Sequence, residues 1–143
     1  MFFSSLTERG ATPALTQTMA FNEARLKVIA ENIANASTPN YRAKQLDVKG
    51  FQRALSRALE DREAGEPLMI SNGQEVLTDD FGHLQVNPRL RPADNVLFHD
   101  GTNLSIEREM ADLAETGLAH DVAGAFLRRS FDGLRKAIRG TVS

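Results

Sequence analysis

Apolar residues fall on two long seven-residue rhythms, one towards each end of the chain. Leu15, Met19, Asn22, Leu26, Ile29, Ile33 and Ala36 follow one another at spacings of four and three in strict alternation. That alternation keeps one face of an α-helix apolar and defines a heptad seam of the kind that pairs helices. Thr12 followed by Pro13 supplies a hydroxyl N-cap and a first-turn proline, so the helix is predicted to begin there. Ser37, Thr38 and Pro39 favour turn or extended backbone, which predicts an end near Ala36. Towards the C-terminus, Ile106, Met110, Leu113, Gly117, His120, Gly124, Leu127, Phe131, Leu134 and Ile138 alternate in the same way. The acids Glu107, Glu109, Asp112, Glu115 and Asp121 fill the first half of this stretch. Arg128, Arg129, Arg135, Lys136 and Arg139 fill the second, and Gly140 offers a stop. Acid first and base last is the order the helix dipole favours. Residues 104–139 would run about 54 Å as a helix at about 1.5 Å per residue. The rest of a small chain cannot cover that length, so this helix needs partners.

Between the seams the pattern weakens. Phe51, Ala54, Leu55, Ala58 and Leu59 share one face of a shorter helix, which Gly65 and Pro67 close. Residues 65–103 hold four Gly and three Pro and no sustained period. Short extended pieces are predicted at Leu84–Val86 and Asn95–Phe98, with a tight turn at Asp100-Gly101. Residues 1–11 lack periodicity and are expected to be disordered in the free chain. The resulting expectation is an all-α protein with two long terminal helices packed as a coiled-coil-like hairpin. A short third helix and an irregular middle, with at most a small β-ribbon, complete it. Segments 12–64 and 104–140 form one helical core, with 65–103 as an intervening loop region and 104–143 as the C-terminal long-helix segment.

Composition fits helices that bury Leu, Ile, Met and Ala against one another. Of the 143 residues 41% are hydrophobic but only 6% aromatic, with no Trp and one Tyr, a low aromatic share for a self-contained core. The 17 basic and 19 acidic residues nearly balance at a net charge of −2, which gives no basic excess for nucleic acid. The absence of cysteine excludes disulfides, thiolate metal sites and cysteine nucleophiles. MFFSSLTERGATPALTQ has no basic n-region, and Glu8 and Arg9 interrupt it early, so no secretory signal is expected there. No stretch approaches the roughly 20 apolar residues that cross a bilayer.

Candidate chemistry is thin. His83, His99, Asp79, Asp80 and Asp100 lack a metal-ligand spacing such as HExxH, and no GxSxG or phosphate-binding Gly loop occurs. Neither an enzyme, a cofactor, a metal site nor a small-molecule substrate is expected. Asn22 lies on the first seam, where a buried Asn fixes register in coiled coils. Gly117 and Gly124 cost roughly 1 kcal/mol each relative to Ala, a cost consistent either with close helix approach or with a kink. His120 between them reads as a packing residue. Asn32 and Asn35 suit helix-end capping or contact between subunits, and with Thr38, Pro39 and Tyr41 they shape the bend after the helix.

RLKVIAENIANASTPNYRA, Arg25–Ala43, resembles the N-terminal signature of the rod, hook and hook-associated axial proteins of bacterial flagella. The continuation to Phe51, the stretch DGTNLSIEREMADLAETGLAHD and the ending LRRSFDGLRKAIRG resemble the proximal-rod branch of that family. The pattern departs at Thr116 and His120, where relatives usually carry Asn and Tyr. The resemblance implies a structural subunit exported by the flagellar type III apparatus into the periplasmic rod. Implied partners are other copies of itself, other rod subunits, and export-gate or membrane-ring components at the rod base. A soluble coiled-coil adaptor or export chaperone that binds a partner helix is the alternative from a different class.

Overall fold

The computed structural model describes residues 12–63, 66–73, 75–92 and 105–140. Three helices carry most of them: α1 at Thr12–Ala34, α2 at Val48–Asp61 and α3 at Ile106–Ile138. The expected disorder of residues 1–11, the extended piece at 95–98, the Asp100-Gly101 turn and His99 lie outside the described residues. α1 is described from Thr12 and ends two residues before the predicted Ala36. Backbone N–H groups of Asn35 and Ala36 then close tighter turns onto Glu31, Asn32 and Ile33. Asn40 takes a positive φ of 60° in the turn that follows, a conformation Asn tolerates better than most residues.

The middle of the chain is more ordered than a loop with one ribbon. β1 (Lys44–Gln45) pairs antiparallel with β5 (Arg89–Leu90). β2 (Ser71–Asn72), β3 (Val76–Thr78) and β4 (Leu84–Val86) form a separate antiparallel sheet in that order. The strand expected at Leu84–Val86 is therefore an outer strand of three. Thr78 faces inward beside Val76, and its hydroxyl accepts a 2.9 Å hydrogen bond from the Ile70 backbone N–H. The fold is thus mostly helical with two small sheets, not wholly α.

α1 is packed on two sides. Phe21 and Val28 join Leu46, Phe51, Ala54, Leu68, Ile70 and Val76 in the main core, which α2 and the three-stranded sheet complete. Phe21 and Phe51 stack with ring centroids 4.1 Å apart and planes within 4°. The other side of α1 lies along α3. Thr12 meets Ser130 at 3.0 Å and Asn32 meets Glu109 at 2.9 Å, so the two long helices run antiparallel.

The β3–β4 turn is held by one carboxylate. Asp79 accepts from the backbone N–H groups of Phe81 at 2.9 Å and His83 at 2.8 Å, while Gly82 supplies a φ of 83°. Gln17 of α1 donates to the Gly82 carbonyl at 2.8 Å and pins the turn to the helix. The His83 backbone N–H, followed by the Phe81 N–H and the His83 ring, holds the Asp79 carboxyl below its ordinary 3.8, against a smaller opposing effect of desolvation. A depressed carboxylate stabilises the fold above its unfolded pKa and loses that contribution as pH falls through the folded value. The turn is therefore expected to be fully tethered above pH 3.8 and to loosen only below it. An NMR titration should report an Asp79 carboxyl below the ordinary aspartate range. An ordinary value would mean that these hydrogen bonds do not hold in solution.

Candidate functional site

The ENIAN stretch at the end of α1 places Asn32 on the inner side of its last full turn, and there it becomes the centre of a buried polar node. Its side chain is fully buried and all four of its hydrogen-bonding positions are used. The amide nitrogen donates to the Lys44 carbonyl and to Glu109 Oε2, each at 2.9 Å. The amide oxygen accepts from the Tyr41 hydroxyl at 2.9 Å and from the Lys44 backbone N–H at 3.0 Å. One side chain thus holds the end of α1, the entry to β1 and the first turn of α3.

Glu109 gives the node its charge. It is fully buried in α3, and Arg91, the residue after β5, lies 2.7 Å from its other carboxylate oxygen with only 12% of the arginine side chain exposed. Removing a carboxylate from water is costly unless it is paired and hydrogen-bonded, and here it is both. The Arg91 backbone N–H donates to the Ala43 carbonyl at 2.8 Å, which extends the β1–β5 ribbon into the node. Burial first, and then the nearby Glu31, push the Tyr41 phenol above its ordinary pKa, so it stays a neutral donor. Around the rim Lys44 pairs with Glu31 at 2.6 Å and Arg25 with Asp112 at 3.5 Å. Asn32 is saturated, whereas Glu109 Oε1 is buried without a hydrogen-bond partner among the described residues and is met by the ion pair with Arg91. Such a node fixes geometry; it offers no unpaired base or nucleophile.

The other expected site residues sit as follows. Asn35 caps its own helix, donating to the Glu31 carbonyl at 2.9 Å and accepting from Thr38 at 3.3 Å. Pro39 is exposed in the bend. On α1, Asn22 and Ile29 are buried while Leu15, Met19, Leu26 and Ile33 are half-buried. The Asn22 amide nitrogen and the Thr116 hydroxyl are both buried without a hydrogen-bond partner among the described residues.

On α3 the expected seam and the buried line coincide only in part. Leu113, Gly117, His120, Gly124, Leu127 and Leu134 are half-buried, but Ile106, Met110, Phe131 and Ile138 are largely exposed. The buried positions are Glu109, Thr116 and Ala123, again seven apart and one residue before Met110, Gly117 and Gly124. Two of those three are polar, so a count of apolar residues passes over them and selects the neighbouring stripe. α3 runs unbroken through both glycines. At Gly124 a side chain would meet the Met19 methyl at 3.5 Å, whereas space beside Gly117 is open. His120 is half-exposed, 3.9 Å from the Asp121 carboxylate.

Other concave ground carries no comparable geometry. One hollow lies beside Asp47, Glu75 and Arg89, but these charges serve one another and the start of α2. Arg89 lies 3.9 Å from Asp47 and 3.7 Å from Glu75, and Asp47 accepts from the Gly50 N–H at 2.9 Å.

A chain whose buried node is built on the turn after its first long helix, with a second long helix left half uncovered, is a helical assembly subunit. A family model described as "Flagella basal body rod protein" matches residues 14–42, the segment that supplies Asn32, Asn35, Thr38, Pro39 and Tyr41. The flagellar basal body rod protein FlgB of Borrelia hermsii is 31% identical over 101 residues, covering 68% of this chain and 73% of the relative. FlgB of Aeromonas hydrophila is 26% identical over 116 residues, covering 81% and 83% of the two chains. FlgB of Bacillus subtilis (strain 168) is 25% identical over 137 residues, covering 92% and 95%. The chain belongs to the FlgB family of flagellar basal body rod proteins.

Proposed function

We propose that the chain is a structural subunit of the proximal rod that coheres with neighbouring subunits through the outward faces of its two long helices. Its work is mechanical, with no catalytic step. The observation that carries this reading is the contrast along α3. One side is fixed to α1 through a buried polar node, while Leu118 and Ile138 on other faces are left 67% and 71% exposed. Large apolar side chains left in water on a long helix favour burial against another molecule. In the assembled rod the two helices act as one coiled-coil-like hairpin, with 12–64 and 104–140 as a single core. Neighbours are other copies, other rod subunits, and export-gate or membrane-ring components at the base; no nucleic acid or small molecule is involved. The chain reaches the periplasmic basal body through the flagellar type III apparatus.

Electron cryo-tomography of basal bodies from a strain deleted for the gene tests this reading. The membrane ring is expected to remain while rod, hook and filament are missing. Complete flagella in the deletion strain would overturn it and bring forward a cytoplasmic adaptor that binds a partner helix.

A further inference from the structure

Asn72, the last residue of β2, is followed by Gly73, and no other asparagine in the chain precedes a glycine. Gly73 lies exposed at a φ of 62°, and the space where a side chain would stand is open. No side chain on that residue screens its backbone nitrogen from the Asn72 amide. β2 holds the turn through two pairs only, Ser71 with Leu77 and Asn72 with Val76, so releasing Asn72 breaks a single rung. The other described asparagines are placed differently. Asn22 and Asn32 are buried in α1, whose hydrogen-bond ladder fixes the nitrogen that follows each. Asn35 and Asn40 precede Ala36 and Tyr41, whose side chains crowd the approach. Asn87 precedes Pro88, which has no N–H to give up.

We propose that Asn72 is a site of spontaneous deamidation that loosens the joint between α2 and the three-stranded sheet. The Gly73 nitrogen attacks Asn72 Cγ and gives its proton to solvent, while the Cγ–Nδ2 bond breaks and ammonia leaves. Water then opens the cyclic imide at either carbonyl and leaves aspartate or isoaspartate. The sum is amide plus water to carboxylate plus ammonium, so water is the only co-reactant. The surroundings give this change its effect. Asn72 Nδ2 and the Asp47 carboxylate both crowd the side of Gly50 where a side chain would stand, and Asp47 caps the start of α2. Asn72 also shares its hollow with Glu75 and Arg89. A new carboxylate replaces an amide donor there with a third acid, and like charges at such range repel. Isoaspartate further lengthens the backbone by one carbon, which shifts the pair that Asn72 makes with the fully buried Val76.

The test holds the purified full chain in mildly alkaline buffer and follows the tryptic peptide 63–89 by mass spectrometry with fragmentation. Conversion at Asn72 is expected severalfold faster than at any other asparagine, divided between aspartate and isoaspartate. Asn87 in the same peptide is the internal blank, and Asn72→Gln is expected to remove the signal at position 72. Conversion at Asn72 in urea but not in the folded chain would mean that the turn holds the Gly73 nitrogen away from Cγ, and would overturn the proposal. Equal conversion at every asparagine would overturn it too. Hydrogen exchange reads the effect on the fold. The Thr78 amide, bonded to the Ile70 carbonyl at 2.9 Å, is expected to exchange severalfold faster in the converted chain. An unchanged rate would overturn the loosening.

Discussion

Asn32→Ala is expected to destabilise the folded chain by about 3–5 kcal/mol, although it removes only a few atoms. The substitution leaves the buried Glu109 carboxylate without its amide donor and removes the partner of the half-buried Lys44 peptide groups and Tyr41 hydroxyl. Each orphaned neutral group costs about 1–3 kcal/mol, and breaking the support of a buried charge about 3–5 kcal/mol; the values overlap and do not add. Against a total stability of about 5–15 kcal/mol the loss is a large share of the margin. Urea denaturation of the purified chain measures it. A loss under about 1 kcal/mol would mean that water replaces the amide, and the node would not be the structural centre argued above. Asn32→Asp separates charge from shape. It keeps the oxygen and the shape but brings a second carboxylate beside Glu109, so it should cost as much as the alanine.

Phe21→Ala is the second large effect, again about 3–5 kcal/mol. The ring is 1% exposed at the centre of the main core and stacks on Phe51 at 4.1 Å. Its loss opens the cluster that α1 shares with Leu46, α2 and the three-stranded sheet. A double-mutant cycle with Phe51→Ala should return a coupling of about 0.5–1.5 kcal/mol for the ring pair. Denaturant midpoints with unchanged slopes are the expected readout. Additive single losses would mean that the two rings fill space independently.

Phe21 also shows where the sequence stops being informative. The strand at Leu84–Val86 and the left-handed Gly140 that ends α3 were both legible, because each rests on local chemistry. The alternation of fours and threes along α1 marks only one of its faces. The second face, with Gln17, Phe21, Val28 and Asn32, carries two polar residues and so makes a weaker stripe. The core partners of Phe21 lie 25 to 55 residues further on, at Leu46, Phe51 and Val76, where no local signal names them. The same limit hid Glu109. On the sequence it is one of five acids near a helix start; only the approach of Arg91 and Asn32 makes it an interior residue. β2 and β3 escaped because strands of two and three residues are too short for a period, and because Thr78 faces inward while Leu77 faces out.

The contact between Asn32 and Glu109 spans 77 positions of the chain, and that distance sets a clock. At synthesis rates of about 5–20 residues per second, roughly 4–15 s pass between the addition of Asn32 and that of Glu109. Throughout that interval the amide has no carboxylate to meet, and Phe51 can settle on Phe21 long before α3 exists. The Asn32–Glu109 bond therefore waits for the C-terminal third, whereas Phe21 and Phe51 are both present well before it. A ribosome stalled before residue 109 would hold a chain whose signature turn is written but not yet locked.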